Sequence, residues 1–166
     1  MDDLDGRLID LFAEDPRVGV LEASRRLGVA RGTVQARLDK LASPGVVTGW
    51  GPDLSPEALG YPVTAFLTLE SRQHSDGGPD GAQGGHDAVG AHLAGIPEVL
   101  EAHTITGAGD MWARVVARSN TDLQRVIDRV LEDPAIVRSS TVIALATQVP
   151  YRVRPLARAA TGPGTR

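Results

Sequence analysis

The chain has 166 residues, no cysteine and a formal net charge of −4. Without thiols neither a disulfide framework nor a thiolate metal site can form, which fits a reducing compartment, and the length allows one domain or two small ones. The acidic start, Met1-Asp2-Asp3-Leu4-Asp5, lacks the basic and apolar run of a secretory signal, and no apolar stretch reaches membrane-spanning length, so a cytoplasmic protein without a membrane partner is expected.

Leu4, Leu8, Leu11 and Phe12 recur at helical spacing and Pro16 follows, so residues 3–14 are expected to form a first helix. Residues 18–47 then read as two short helices about a tight turn, Leu21 to Val29 and Arg31 to Leu41, with Gly28 supplying the left-handed residue the turn needs. On the second helix Val34, Leu38 and Leu41 fall on one line that can pack inward. Gly32, Thr33, Ala36 and Lys40 point the other way. Small residues there let the backbone approach base edges, while Arg31, Arg37 and Lys40 are placed to neutralise phosphates. Residues 17–50 hold six basic side chains (Arg17, Arg25, Arg26, Arg31, Arg37 and Lys40) against Glu22 and Asp39, a local charge of +4 in an acidic chain. This concentration is the electrostatic footprint of a helix-turn-helix that reads double-stranded DNA; a helix pair that only packs is the competing reading.

Pro44-Gly45 stops that helix, and the β-prone run Val46 to Gly51 is expected to form a one-strand wing. The prolines of Pro52 to Gly60 mark a linker. The expected organisation is a winged helix-turn-helix domain over 1–51, a linker over 52–61, a second domain over 62–150 and a basic, solvated tail over 151–166. The second domain opens on a strand, Pro62 to Glu70. Residues 72–86, with five glycines and Pro79, are expected as a loop; a phosphate cradle there would lack its strand and lysine. Val89, Leu93 and Ile96 mark a helix, Val99 to Thr106 and Met111 to Ala117 two strands. Thr121 and Gln124 resemble a capping box opening a helix buried through Leu123, Val126, Ile127, Val130 and Leu131, and a last strand runs from Ile136 to Thr147. The order β-α-β-β-α-β gives a ferredoxin-like domain, and the fold class α+β. Its uncovered sheet face, with Val99, Val115 and Val116 available, is expected to be buried in a homodimer.

Gly107-Ala108-Gly109-Asp110 joins two strands and is either a plain hairpin turn or a site whose amides and Asp110 hold the carboxylate and ammonium of a free amino acid. His74, His86, His92 and His103 lack ligand spacing, so no metal is expected, and Ser139-Ser140-Thr141 lies in a strand rather than a nucleophile elbow. With no catalytic set and no cofactor motif, the chain is not expected to be an enzyme.

Several of these segments together resemble the Lrp/AsnC transcriptional regulators of bacteria and archaea. They are Leu4-Asp5, Arg25-Arg26-Leu27-Gly28-Val29, Thr33-Val34, Gly45-Val46-Val47, Asp53 to Gly60, and Thr106-Gly107 with Asp110. The resemblance implies a dimer, or a higher homo-oligomer of dimers, whose sheet domains bind a small effector, often an amino acid. By position it implies DNA contacts from Arg25, Arg31, Thr33, Gln35, Arg37 and Lys40, and effector contacts from Gly107, Gly109, Asp110 and Thr141. Three departures stand out: Ala30 replaces the usual serine N-cap, Gly109 replaces a larger residue, and the 72–86 segment is long. Haem-precursor decarboxylases resemble these regulators in fold, and would require Arg25, Arg26 and His103 to serve a tetrapyrrole. A third reading is a ligand-binding assembly protein that no longer reads DNA.

Overall fold

The computed structural model describes the backbone of residues 1–72 and 79–161, and the side chains of all of these except 79–86. The chain parts into two compact units, Met1–Pro52 together with Val149–Arg166, and Asp53–Gln148. No described helix is long and apolar enough to cross a membrane.

The first unit contains α1 (Asp3–Glu14), α2 (Val20–Leu27), α3 (Arg31–Ala42) and, returning from the far end of the chain, α6 (Arg154–Thr161). Leu8, Val18, Ala23, Val34 and Leu38 form its core, with Leu8, Val34 and Leu38 at the positions the helical spacing predicts. Asp2 and Asp5 cap α1 reciprocally, each carboxylate accepting from the other's backbone N–H at 3.0–3.1 Å. Gly28 takes φ 69° at the end of α2, and its left-handed turn is what lets α3 depart so soon. Ala30 gives α3 no side-chain cap. The expected wing is absent: residues 46–51 form no strand, because no second strand pairs with them, and Trp50 packs edge-on against Phe12 at 5.5 Å instead. The expected solvated tail is also corrected. Arg154 and Arg158 hold its helix, α6, against acidic side chains of α1.

The second unit runs β1 (Val63–Ser71), α4 (Pro79–Ala94), β2 (Val99–Thr104), β3 (Met111–Ala117), α5 (Asn120–Val130) and β4 (Ile136–Ile143). The strands form one antiparallel sheet in the order β2-β3-β1-β4, the ferredoxin-like arrangement. Segment 53–61, expected as a linker, belongs to this unit and coils into turns, with Gly60 at φ 91°. Residues 79–86, expected as loop, are helical. Pro79 sits at the start of α4, where a missing N–H costs nothing, and burial of Val89 and Leu93 anchors the helix despite its glycines. Residues 73–78 of that expected loop lie outside the described ones. The cap of α5 is Ser119, whose Oγ accepts from Asp122 N at 3.0 Å, and not Thr121. Ser119 is extended (φ −160°), as an N-cap must be, whereas Thr121 is already inside the helix.

One sheet face packs under α4 and α5 through Ala65, Leu67, Leu69, Ala113 and Val115. Val99 and Val115, expected as candidates for the open face, therefore belong to the helix-covered core; only Val116 alternates away. The open face carries Phe66 and Trp112, stacked at 5.2 Å, with His103 tilted against Trp112 at 5.9 Å.

At the edge of this core Glu98, only 7% exposed, accepts from Arg125 Nη2 at 2.7 Å and pairs with Arg129 at 3.5 Å. The Arg125 hydrogen bond holds the Glu98 carboxyl below the ordinary glutamate range against the opposing effect of burial. A carboxyl with a lowered folded pKa contributes stability at neutral pH that is lost as pH falls through that lowered value. Glu98→Gln is expected to cost about 1–3 kcal/mol near neutral pH. In urea melts the difference from wild type should shrink in acid; a gap that is constant with pH would contradict the assignment.

Candidate DNA-reading and effector sites

The outward side of α3 carries Arg31, Gly32, Thr33, Gln35, Ala36 and Lys40, all exposed, while Val34, Leu38 and Leu41 are buried. The small residues are those that would bring a backbone close to base edges. Arg25, at the end of α2, has a side chain 70% exposed and a loose 3.8 Å contact with Glu22. Gln35 Nε2 donates to Asp39 Oδ1 at 2.9 Å along the same helix.

Arg37 differs from these. Its Nη1 donates to Asp5 Oδ1 at 2.9 Å and to Asp2 Oδ2, so the guanidinium spans from α3 to the capping box of α1. Asp5 is fully buried and the Arg37 side chain is 28% exposed. The hydrogen bond from Arg37 lowers the pKa of Asp2, and the bonds to Asp2 and Asp5 raise that of Arg37. The geometry thus directs the cationic group of Arg37 inward, whereas the sequence pattern places it among the phosphate contacts. An aspartate beside an apolar run reads as a cap, and nothing in local spacing signals that its carboxylate also reaches a helix 32 residues away.

The second candidate site is the β2–β3 hairpin. Gly107 and Gly109 take φ 111° and 101°. Asp110 N donates to Leu69 O at 2.8 Å, and Asp110 Oδ2 accepts from Ser71 N at 2.6 Å and Ser71 Oγ at 3.1 Å. Asp110 therefore fastens the hairpin to the end of β1, with one carboxylate oxygen committed to Ser71. Thr141 is not part of this cluster: it stands on β4 opposite Leu67, across β1 from the hairpin. Beside the hairpin stems, Thr104 and Met111, a groove of about 580 Å³ opens between α4 and β2. Leu93, Val99 and Met111 give it apolar wall and Asp87 stands at its rim, while the carboxylate of Glu101, also a β2 residue of the lining, turns to Arg114 at 3.3 Å and His103 at 3.6 Å on the open face. Sequence reasoning found the turn but not the groove, which exists only once α4 is laid along β2.

Of the residues the tetrapyrrole alternative would use, Arg25 and Arg26 lie on α2 of the first unit and His103 on β2 of the second. Arg26 is moreover engaged by Glu22 and Asp15.

A helix-turn-helix unit and a ferredoxin-like unit with a groove at its hairpin define the class of two-module regulators. Residues 1–42 match the AsnC-type helix-turn-helix domain and residues 64–153 the Lrp/AsnC ligand binding domain. The chain belongs to the Lrp/AsnC family of transcriptional regulators. It is 28% identical to the regulatory protein AsnC of Escherichia coli, with 93% of this chain and 97% of that one covered. It is 27% identical to the HTH-type transcriptional regulator FL11 of Pyrococcus horikoshii, covering 89% and 91%. The solved structure of E. coli AsnC superposes with a TM-score of 0.80 at 27% identity over 93% and 99% of the two chains. A feast or famine regulatory protein from M. tuberculosis, complexed with L-methionine, superposes at 0.75 with 28% identity over 92% and 97%.

Proposed function

We propose that this regulator binds duplex DNA through α3 as a homodimer, and that a small amino acid bound at the groove beside the β2–β3 hairpin modulates that binding. The observation that carries the DNA half is the exposed side of α3, where Arg31 and Lys40 flank residues small enough for close approach. Arg25, Thr33 and Gln35 complete the contact set, and two copies would reach half-sites roughly 34 Å apart. For the effector half, the groove pairs the Asp87 carboxylate for an ammonium with an apolar wall for a side chain, and its volume suits a small ligand. The L-methionine held by the mycobacterial relative favours the same ligand class. Gly107 and Gly109 offer turn amides to the ligand's carboxylate, and Asp110 keeps the turn in place; Thr141 stands apart from these groups. A ligand acts on DNA affinity only by preferring one arrangement of the assembly over another.

Gel shifts with duplexes selected from a random pool test the reading. Arg31→Ala and Lys40→Ala should each reduce the slope of log affinity against log salt by about 1. No retardation at low salt by the wild-type chain would sink the DNA half.

The open face of the sheet is the expected dimer contact, since Phe66 and Trp112 stack there and Val142 is 63% exposed. Trp112→Asp should turn the dimer into a monomer in sedimentation while the far-ultraviolet spectrum stays unchanged. A wild-type monomer, or a variant that remains dimeric, would remove this face from the proposal.

A further inference from the structure

Helix α6 begins at Arg154, one residue past the end of the match to the ligand-binding family model. It lies in the first unit, along α1. Arg154 Nη2 reaches Asp10 Oδ1 at 3.2 Å and Glu14 Oε1 at 3.1 Å, and Arg158 Nε donates to both oxygens of Asp10 at 3.0–3.1 Å. At the other end Thr161 covers Gly6, where an added Cβ would stand 3.3 Å from the Cβ of Thr161. Three ion pairs and one close approach therefore fix α6 along successive turns of α1.

The charge balance gives this contact a consequence. Residues 1–52 contain eight acidic and seven basic side chains, a net charge of −1 for a segment assigned to read a polyanion. Residues 149–161 add Arg152, Arg154 and Arg158 and no acid, which brings the described part of the unit to +2. Unscreened carboxylates on α1 would repel phosphates over distances comparable with the Debye length, about 10 Å at ordinary salt. The arginines of α6 sit on two of them.

We propose that α6 is a cationic strap of the DNA-binding unit: Arg154 and Arg158 neutralise Asp10 and Glu14 and thereby raise the affinity of α3 for DNA without touching it. They are positioning residues, acting through the charge of α1. The inference rests on the DNA-reading function proposed above. The chain supplies the strap from its own far end, and since residues 144–153 join it directly to β4, the sheet unit and the DNA-binding unit are linked twice along one polypeptide.

The test uses the full chain and a mixed-sequence duplex of about 40 base pairs, so that no operator need be known. Arg154→Gln with Arg158→Gln should weaken binding about three- to tenfold at low salt, and less at high salt. Adding Asp10→Asn and Glu14→Gln to that variant should restore affinity to within about twofold, because the charge of the unit is then that of wild type. Arginines that contact phosphates directly would leave the fourfold variant as weak as the double one, and that result overturns the proposal. A second readout does not depend on DNA. In this cysteine-free chain Gly6→Cys with Thr161→Cys places two Cβ atoms close to disulfide distance, and should oxidise to a bond within one chain. No bond, or a bond between two copies, refutes a strap closing on its own α1. A wild-type chain that ignores the duplex defeats the DNA reading; a double variant that binds as well as wild type defeats the strap alone.

Discussion

Arg37→Ala is expected to lower the stability of the DNA-binding unit by about 2–4 kcal/mol, because it strands the fully buried carboxylate of Asp5 without its cation. For a unit of this size that corresponds to a fall in midpoint of roughly 8 °C or more. The partial exposure of Arg37 keeps the figure below that of a fully enclosed pair. Loss of DNA binding in this variant would be ambiguous, since a missing phosphate contact and a misplaced helix look alike. The paired replacement separates them. Asp5→Leu with Arg37→Met removes both charges together and should recover most of the lost stability, as apolar substitutes of similar size commonly do. If Arg37 only aligns α3 on α1, DNA affinity recovers with stability and the salt slope matches wild type. If it also contacts a phosphate, the refolded double variant keeps a slope smaller by about 1. Differential scanning fluorimetry beside salt-dependent gel shifts reads both quantities.

The assignment of Arg37 shows where a sequence pattern loses its authority. Helical period, the left-handed glycine and the proline stops placed α1, α2 and α3 to within a residue or two, because each is a local signal acting over one or two turns. Alternation likewise placed β1 and β3, and the order of elements gave the sheet topology. What escaped were partnerships between distant segments. Asp5 reaching Arg37, Asp10 reaching Arg158 and Asp110 reaching Ser71 are each separated by tens of residues, and an exposed charge looks the same in the sequence whether or not it finds a partner. The glycine-rich start of α4 failed for the same reason: intrinsic propensity argued for a loop, and the burial of Val89 and Leu93 against the sheet outweighed it. The face of the valines was undetermined by alternation alone, since sliding a strand by one residue reverses its two sides, and only the register of β3 against its neighbours settles it.

The same long-range logic applies to Gly109 in the second unit. Its φ of 101° is strained for any residue with a Cβ, and that Cβ would stand 2.5 Å from Thr68 Cγ2 and 3.1 Å from the backbone oxygen of Leu69. The threonine methyl can rotate away, but the Leu69 oxygen is fixed in β1, where it accepts from Asp110 N. Gly109→Ala must therefore push the hairpin off β1 and stretch the Asp110–Ser71 hydrogen bonds. We expect a loss of roughly 2–5 kcal/mol, combining backbone strain with overpacking. Gly107→Ala is the control: φ is 111° but nothing lies within 4 Å of the added Cβ, so only the strain of about 1–3 kcal/mol remains. Hydrogen exchange at the amides of Ser71 and Asp110 should accelerate far more in the Gly109 variant than in the Gly107 variant. If the effector sits in the groove that the hairpin borders, the Gly109 variant should also lose the thermal shift that an amino acid such as L-methionine gives the wild type, and Gly107→Ala should retain part of it. Equal acceleration in the two variants would mean that the close approach of Gly109 to β1 does not hold the hairpin.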